Sequence, residues 1–218
     1  CQRYSPSPTP SACKSVCYRR GTGPARQVPG HLLWSIRMRI IAGTEGGRRL
    51  RCPPGRGTRP TSDRVREALF SILGPPAEHT RVLDLFAGAG TLGLEALSRG
   101  AAFALFVERD RAALRCLREN IESLGYQERS RVTVGDGIRE LGRAHDGFDW
   151  VFLDPPYASD LADQALAKLS DSPLLRANAT VVVEHDHRSP PSVPDGLEKT
   201  ESRRYGDTTI SLYRPTDS

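Results

Sequence analysis

Residues 82–93 read Val82-Leu83-Asp84-Leu85-Phe86-Ala87-Gly88-Ala89-Gly90-Thr91-Leu92-Gly93. The apolar first half predicts a buried strand, and the glycine-rich second half predicts a turn into a helix that begins near Thr91 and continues to about Ser98. Glycine permits a tight turn and lets the backbone approach a ligand closely. The stretch therefore predicts an α/β fold with a ligand site where this strand ends.

The turn contains one acidic residue, Asp84, near the end of the strand. The glycines have the G-x-G-x-x-G spacing that is typical of dinucleotide sites, but a carboxylate there would repel a pyrophosphate. It suits a cationic or amine-bearing ligand instead, and S-adenosylmethionine carries both a sulfonium and an α-amino group. We therefore expect the turn to bind S-adenosylmethionine through Asp84, Phe86, Ala87, Gly88 and Gly90.

Three further predicted strands also end at acidic residues. Glu108 follows the next strand and is placed to hold ribose hydroxyls, and Asp136 and Gly137 follow a third, where Asp136 could accept a hydrogen bond from an adenine amine. Asp154 follows the fourth. A single acid in such a position is often only the N-cap of the next helix. Acids at four successive strand ends, however, predict one shared crevice, because parallel strands place their carboxyl ends at the same edge of a sheet.

Asp154 begins the tetrapeptide Asp154-Pro155-Pro156-Tyr157, which follows a short apolar run. Proline fixes its own φ and lacks an N–H, so the two prolines make a rigid notch whose carbonyls can face a ligand. The Asp154 carboxylate and a backbone carbonyl can accept both hydrogen bonds of an exocyclic amine, and Tyr157 offers a stacking surface for a base. Together with the strand-end acids, these four residues predict a methyltransferase that acts on a base amine.

The rest of the core alternates predicted strands and helices, at residues 82–86, 91–98, 103–107, 110–123, 131–135, 137–143, 149–153, 160–169 and 179–184. This alternation predicts an α/β fold with a Rossmann-like, mostly parallel, doubly wound sheet, as in class I methyltransferases. Residues 197–204 and 208–214 then predict a C-terminal antiparallel hairpin that completes a seven-stranded sheet. Tyr205 and Asp207 in its turn are open to either a turn role or a functional one.

Positive charge is concentrated ahead of this core. Residues 37–66 hold nine arginines against Glu45 and Asp63, a net charge of +7, whereas residues 67–218 sum to −7. Such asymmetry is typical of a nucleic-acid-binding arm on an enzyme body. We expect about half of the arm's arginines to contact RNA phosphates, and the others to pair with nearby acids or helix ends. The candidates are Arg39, Arg48, Arg49, Arg51, Arg59, Arg64 and Arg66.

The sequence predicts three parts. Residues 1–37 are expected to be a disordered basic leader outside the fold, residues 38–76 a basic hairpin and helix that contact RNA, and residues 77–218 the methyltransferase domain. No apolar run reaches the roughly 18 residues that a membrane-spanning helix needs, and the cysteines lack metal-ligand spacing. We therefore expect a cytoplasmic protein, a monomer by default, that uses no metal.

From about Met38 to Pro215 the chain resembles the bacterial 16S rRNA guanine-N2 methyltransferases of the Rsm D type, within the class I S-adenosylmethionine-dependent superfamily. The most discriminating match is the stretch Arg59-Pro60-Thr61-Ser62-Asp63-Arg64-Val65-Arg66-Glu67, since the glycine turn and the Asp-Pro-Pro-Tyr box occur in many amino-methyltransferases. Further matches are Met38-Arg39-Ile40-Ile41-Ala42-Gly43, Gly47-Arg48-Arg49-Leu50, Leu94-Glu95-Ala96-Leu97-Ser98-Arg99-Gly100 and Tyr205-Gly206-Asp207-Thr208. The resemblance implies methyl transfer to the N2 amine of one guanine in 16S rRNA of the small ribosomal subunit.

Two other functions remain compatible with the sequence. A DNA adenine-N6 or cytosine-N4 methyltransferase shares the Asp-Pro-Pro-Tyr box, but such enzymes usually carry a separate target-recognition domain, for which no segment here is long enough. A non-catalytic ribosome-assembly factor would keep the fold and bind RNA through the arginine arm. The unbroken glycine turn and the strand-end acids speak against an assembly factor. Measurable cofactor binding would distinguish a methyltransferase from it.

Overall fold

The computed structural model describes residues 38–53, 63–142, 147–156 and 160–216. Three of the sequence-based expectations, the leader at residues 1–37, Arg59 and Tyr157, lie outside these residues. The elements, in chain order, are β1 (Met38–Arg39), β2 (Arg49–Leu50), α1 (Asp63–Leu73), β3 (Arg81–Asp84), α2 (Thr91–Ser98), β4 (Phe103–Glu108), α3 (Arg111–Leu124), a short 3-10 helix (Gln127–Arg129), β5 (Ser130–Val134), α4 (Gly137–Leu141), β6 (Phe148–Leu153), α5 (Leu161–Ser170), β7 (Leu175–Asp186), β8 (Leu197–Tyr205) and β9 (Thr208–Pro215).

The core is one seven-stranded sheet with the strand order β5-β4-β3-β6-β7-β9-β8. β5, β4, β3, β6 and β7 pair in parallel, whereas β9 pairs antiparallel with both β7 and β8. The α/β class, the mostly parallel sheet and the antiparallel C-terminal hairpin that the sequence predicts are therefore confirmed. Among the described helices, none is long and apolar enough to cross a membrane.

Helices cover both faces of the sheet. Apolar side chains of α1, α2 and α3 pack on what we call the first face, and those of α4 and α5 pack on the second face. β6 contributes apolar side chains to both faces. Trp150 and Phe152 belong to the cluster on the first face, and Val151 and Leu153 belong to the cluster on the second. A strand buried on both faces needs such a continuous apolar run rather than an alternating pattern.

Helix α1 packs across the first face through Phe70. The Phe70 ring meets Trp150 and Phe152 edge-on, with centroid separations of 6.2 and 5.8 Å. The Arg99 guanidinium lies over the Phe70 ring, 4.7 Å from its centroid. These contacts fix α1 over β6.

The N-terminal segment is part of the same core. β1 and β2 form an antiparallel hairpin, and Ile40 and Leu50 are buried in the first cluster. Glu95 of α2 is fully buried, and its carboxylate accepts hydrogen bonds from the backbone N–H groups of Ile41 (2.7 Å) and Ala42 (3.0 Å) and from Arg99 Nε (2.7 Å). Residues 38–53 are therefore anchored to the core of the sheet rather than forming a separate arm.

This anchor gives a test of stability. Replacing Glu95 with Ala leaves two partly buried N–H groups and the Arg99 guanidinium without their acceptor, and removal of one partner of a buried ion pair typically costs about 3–5 kcal/mol. We expect a loss of this size in the free energy of unfolding, measured by urea denaturation. Glu119→Ala is the matched control, since Glu119 pairs with Arg51 of the same segment at 2.6 Å but in an exposed position, where such pairs contribute about 0–1 kcal/mol. Equal losses in the two variants would contradict the proposed anchor.

Candidate active site

The sheet topology opens a crevice beside β3. The chain leaves β3 through α2, which packs on the first face, but leaves β6 through α5, which packs on the second face. Since β3 and β6 are adjacent and parallel, their connections diverge and leave a gap at their carboxyl ends, the usual position of ligands in open α/β sheets. Asp84 ends β3 and Asp154 follows β6, so both lie at this gap.

Asp84 is held against the start of α2. Its side chain is buried, at 2% exposure, and Oδ2 accepts a hydrogen bond of 3.0 Å from the Gly93 N–H. A Cβ at position 93 would come within 2.3 Å of the Phe106 ring and 3.2 Å of Asp84 Oδ2, so only glycine permits this contact. Burial, opposed by the Gly93 hydrogen bond and assisted by the negative charge of Glu108, raises the pKa of Asp84 to about 7. The group therefore changes charge near neutral pH.

Asp154 has a second acidic neighbour, Glu184. The β6–β7 register pairs Leu153 with Val183, so Asp154 and Glu184 follow as neighbours on adjacent strands, both on the first face. Glu184 is only 4% exposed, whereas Asp154 keeps a partly exposed surface at the crevice. Burial of the carboxyl, then the charges of Glu184 and Asp84, raise the pKa of Asp154 well above its usual range.

The sequence analysis missed Glu184. It follows the apolar run Val181-Val182-Val183 in the same way that the other four acids follow their strands, so the rule of strand-end acids would have found it. Its side chain lies on the same face as those of Asp84 and Asp154, because alternate residues of neighbouring parallel strands point to the same face. Asp84 pairs with Phe152, so it lies two residues below the level of Asp154. Three carboxylates are thus gathered on one face of the sheet near its carboxyl edge.

Glu108 supports the glycine turn. Its Oε2 accepts a hydrogen bond of 2.7 Å from the Gly88 N–H, and its Oε1 accepts from the N–H groups of Arg109 (2.8 Å) and Asp110 (2.7 Å). A carboxylate has about four lone-pair positions, so one remains for a ligand hydroxyl. Gly90 has φ of +85°, and a Cβ there would come within 2.4 Å of Leu117. The turn is therefore shaped by Glu108 and by glycines that no other residue can replace without movement.

Asp136 caps helix α4. Its Oδ1 accepts a 3.3 Å hydrogen bond from the Arg139 N–H, and its Oδ2 accepts a 3.1 Å hydrogen bond from Arg109 Nη1. The simpler of the two roles that the sequence allows, the helix cap, is thus present, and an adenine amine would have to share this carboxylate. Gly137 follows it against the Leu85 carbonyl and the Phe86 ring, since a Cβ at 137 would lie 2.9 and 3.0 Å from them.

The other predicted site residues lie along the same edge. Ala87 is buried and donates its N–H to the Val107 carbonyl at 3.1 Å, which ties the turn to β4. Pro155 is buried and Pro156 is exposed. Within the described residues, His, Cys, Asp and Glu side chains do not gather in groups of three that could hold a metal ion.

Five of the predicted RNA-contacting arginines are exposed. Arg39, Arg48 and Arg51 are exposed but paired, with Asp63 (2.9 Å), Glu45 (2.8 Å) and Glu119 (2.6 Å) respectively. Arg49 and Arg64 are exposed.

Arg66 is a correction to the sequence analysis. Its side chain is fully buried on the inner face of α1, beside Phe70, and its Nη2 donates to the Arg39 carbonyl (2.7 Å) and to Asp63 Oδ1 (2.8 Å). A guanidinium enclosed in this way has no surface to offer a phosphate. Arg66 therefore joins α1 to β1, and it is not an RNA contact.

The strand order and the acidic, glycine-lined crevice at the point where the topology reverses define a class I methyltransferase fold. Within that class, the profile of the family described as "Conserved hypothetical protein 95" matches residues 38–214, and the chain belongs to this family.

Individual relatives agree with this assignment. The chain is 38% identical over 182 residues to a Bacillus subtilis (strain 168) protein named "Putative rRNA methyltransferase YlbH", in an alignment that covers 81% of this chain and 98% of the relative. It is 37% identical over 181 residues to "Ribosomal RNA small subunit methyltransferase D" of Escherichia coli (strain K12), in an alignment that covers 83% of this chain and 91% of the relative. Among solved structures, "Putative methyltransferase yhhF from Escherichia coli" superposes with a TM-score of 0.74 and 37% identity, over 82% of this chain and 97% of the other.

The buried Asp84 carboxyl gives a pH-dependent prediction. Its raised pKa means that the protonated form is favoured in the folded protein. The contribution of this carboxyl to the free energy of unfolding is therefore fully present below the ordinary pKa of 3.8 and is lost as the pH rises through about 7. Asp84→Asn removes this loss and can still accept from Gly93. We expect the variant's gain in free energy of unfolding to be about 2–3 kcal/mol larger at pH 8 than at pH 5, measured by urea denaturation.

Asp149→Asn is the control for this comparison. Asp149 lies in the same sheet but accepts from the Arg81 N–H (2.7 Å) and pairs with Arg176 (2.8 Å), so its replacement should bring no gain at pH 8. A gain for Asp84→Asn that does not change with pH would show that the carboxyl is not the cause.

Proposed function

We propose that this protein transfers a methyl group from S-adenosylmethionine to the N2 amine of a guanine in 16S rRNA of the small ribosomal subunit. The observation that carries the proposal is the group of acids on one face at the reversal of the topology, where Asp154 lies at the same gap as the Asp84–glycine turn. Asp154 and the Pro155 carbonyl would serve there as a pair of acceptors. The names of the relatives, which describe rRNA methyltransferases and a small-subunit rRNA methyltransferase, support RNA as the substrate.

The crevice fits S-adenosylmethionine on its β3–β4 side. Asp84, once ionised, would attract the α-amino group, and the turn at Gly88 and Gly90 allows close approach of the backbone. The remaining lone-pair position of Glu108 suits a ribose hydroxyl, and Phe86 and Asp136 border the adenine end. When bound, the cofactor supplies an electrophilic methyl group on a sulfonium sulfur.

Asp154 and Pro155 position the acceptor amine. The N2 amine of guanine is conjugated with the ring and is a poor nucleophile, so acceleration must come mainly from alignment and exclusion of water. A carboxylate and a carbonyl that accept its two N–H bonds hold the nitrogen with its lone pair directed at the methyl group. Tyr157, which follows Pro156, would stack on a base that has been swung out of its helix. Ionised Asp154 accepts these hydrogen bonds more strongly than the neutral acid, and only the ionised form can take up the proton that the amine loses.

Glu184 adjusts the charge of Asp154. The amine nitrogen becomes acidic once it carries the methyl group, and the proton that it loses passes to Asp154, the nearest base. The neighbouring carboxylate raises the proton affinity of Asp154, which favours this transfer and then shares the proton within the buried pair. No other co-reactant is required for the proton to leave.

The exposed arginines of the N-terminal segment are the proposed RNA-binding residues, namely Arg39, Arg48, Arg49, Arg51 and Arg64, together with Arg59. The ion pairs of Arg39, Arg48 and Arg51 lie at the surface, where such pairs contribute little, so a phosphate can replace the carboxylate partner. Positive charge on this side also attracts RNA at long range, in a manner that salt weakens.

The function is tested by product identification. Small ribosomal subunits assembled from an unmodified 16S rRNA transcript are incubated with the protein and S-adenosylmethionine, and the rRNA is digested for mass spectrometry of its nucleosides. We expect N2-methylguanosine at one position. Asp154→Ala should lose at least about 100-fold in methyl transfer, because the side-chain acceptor that aligns the amine is removed, while its affinity for S-adenosylmethionine stays within about twofold.

The alternatives would give different products. N6-methyladenine or N4-methylcytosine in DNA supplied to the same assay would favour the DNA methyltransferase. Cofactor binding without transfer to either nucleic acid would support the assembly factor and contradict the proposed function.

The Glu184–Asp154 pair predicts a shift in the pH profile. Replacing Glu184 with Gln removes a negative charge that raises the pKa of Asp154, so Asp154 should ionise at lower pH. Activity requires the ionised form and therefore rises with pH in the wild type. We expect the acidic limb of the kcat profile to move to lower pH in the variant. Glu198→Gln, an exposed acid on β8, should leave it unchanged, and an unmoved limb in Glu184→Gln would contradict the coupling.

A further inference from the structure

A basic residue of β8, Arg203, lies in line with an acid of the crevice across the sheet. The strand pairings place Glu184 of β7 opposite Ile210 of β9, and Ile210 opposite Arg203 of β8. Side chains of directly paired residues share one face of a sheet. Ile210 belongs to the cluster on the first face, so Arg203 lies on the same face as Glu184 and Asp154.

The spacing of the sheet sets the distance from the reaction centre. Neighbouring strands lie about 4.8 Å apart, which puts the backbone of Arg203 about 10 Å from that of Glu184 and about 14 Å from that of Asp154. This is the length of about four stacked nucleotides at roughly 3.4 Å each. An RNA strand that presents a base to Asp154 therefore passes over Arg203 if it runs along the carboxyl edge toward β8.

A second arginine lies at the same corner. Arg188 follows β7, and its Nε lies 3.4 Å from Oδ1 of Asp186, the last residue of that strand. Both arginine side chains are exposed, 70% for Arg188 and 55% for Arg203. Within the described residues, Arg203 forms an ion pair with Glu201. Such exposed pairs contribute little, and a phosphate offers a guanidinium a stronger, two-pronged acceptor.

We infer that Arg203 and Arg188 bind phosphates of the RNA strand next to the methylated base. The inference rests on the proposed function and adds a contact surface that lies outside the arginine-rich N-terminal segment. It also differs in position from that segment, since Arg48 donates to the Ser123 carbonyl at the C-terminal end of α3, far from the carboxyl edge. Arg203 and Arg188 lie at the carboxyl edge itself.

Tyr205 does not share this role. It pairs with Thr208 and so points to the same face as Arg203, but it packs against the first hydrophobic cluster. The sequence left Tyr205 open between a turn residue and a functional residue, and its packing favours an anchor for the hairpin.

The chain offers a matched control in Arg204. It follows Arg203 on the same strand, is exposed and carries the same charge, but it pairs with Thr209 and therefore points to the second face. We would compare Arg203→Gln and Arg204→Gln with the wild type for affinity toward unmodified small ribosomal subunits at several salt concentrations. Melting temperature and affinity for S-adenosylmethionine are measured alongside.

We expect Arg203→Gln to weaken subunit binding about tenfold and to reduce the salt slope by about one, as for the loss of one phosphate contact. Its KM for subunits should rise while kcat stays near the wild-type value, and Arg204→Gln should match the wild type in all respects. Arg188→Gln should resemble Arg203→Gln.

Binding and transfer separate this inference from the proposed function. Wild-type methyl transfer with equal subunit binding by Arg203→Gln and Arg204→Gln would overturn the inference and leave the function intact. If the wild type binds subunits but transfers no methyl group, the function fails, and a selective loss of binding in Arg203→Gln would still support the arginine contact. Equal losses in the two variants would point to net charge rather than position and would also overturn it.

Discussion

The reversal of the strand order beside β3, where the chain adds β4 and β5 on one side and β6 and β7 on the other, is the constraint on which the site depends. Right-handed connections send α2 to one face and α5 to the other, so the ends of β3 and β6 cannot be covered by the same helix. Polar groups that would be too costly in the interior can therefore collect there. The Gly93–Asp84 hydrogen bond then fixes the first turn of α2 against β3, which holds one wall of the crevice in place.

The carboxylates at this edge lower the free energy of unfolding of the protein. Asp84, Asp154 and Glu184 lie on one face of adjacent strands, and burial together with mutual repulsion raises the pKa of both aspartates. A group perturbed in this way by specific neighbours in a cleft is a candidate for a functional role. A cationic ligand would relieve the repulsion, so the same arrangement that lowers the stability of the fold favours binding of a sulfonium and an ammonium group.

Most of the fold could be predicted from the sequence because glycine, proline and apolar runs mark its elements locally. The predicted helix at residues 91–98 matches α2 to the residue, and the acids at strand ends could be placed together since parallel strands share one edge. Arg66 was misplaced because its charge suggests the surface, although its spacing of four residues from Phe70 puts it on the buried side of α1. The alignment of Arg203 with Asp154 could not be predicted, because it depends on β9 lying between β7 and β8.

That position of β9 also bears on how the chain folds. β8 precedes β9 in the sequence, yet it reaches the sheet only through β9. During synthesis, β8 must therefore wait without a pairing partner until residues 208–215 have left the ribosome, and the edge of β7 that pairs with β9 stays unpaired for the same time. Non-local pairing of this kind slows folding and exposes edges that can aggregate. We expect completion of this half of the sheet to be the late step in folding.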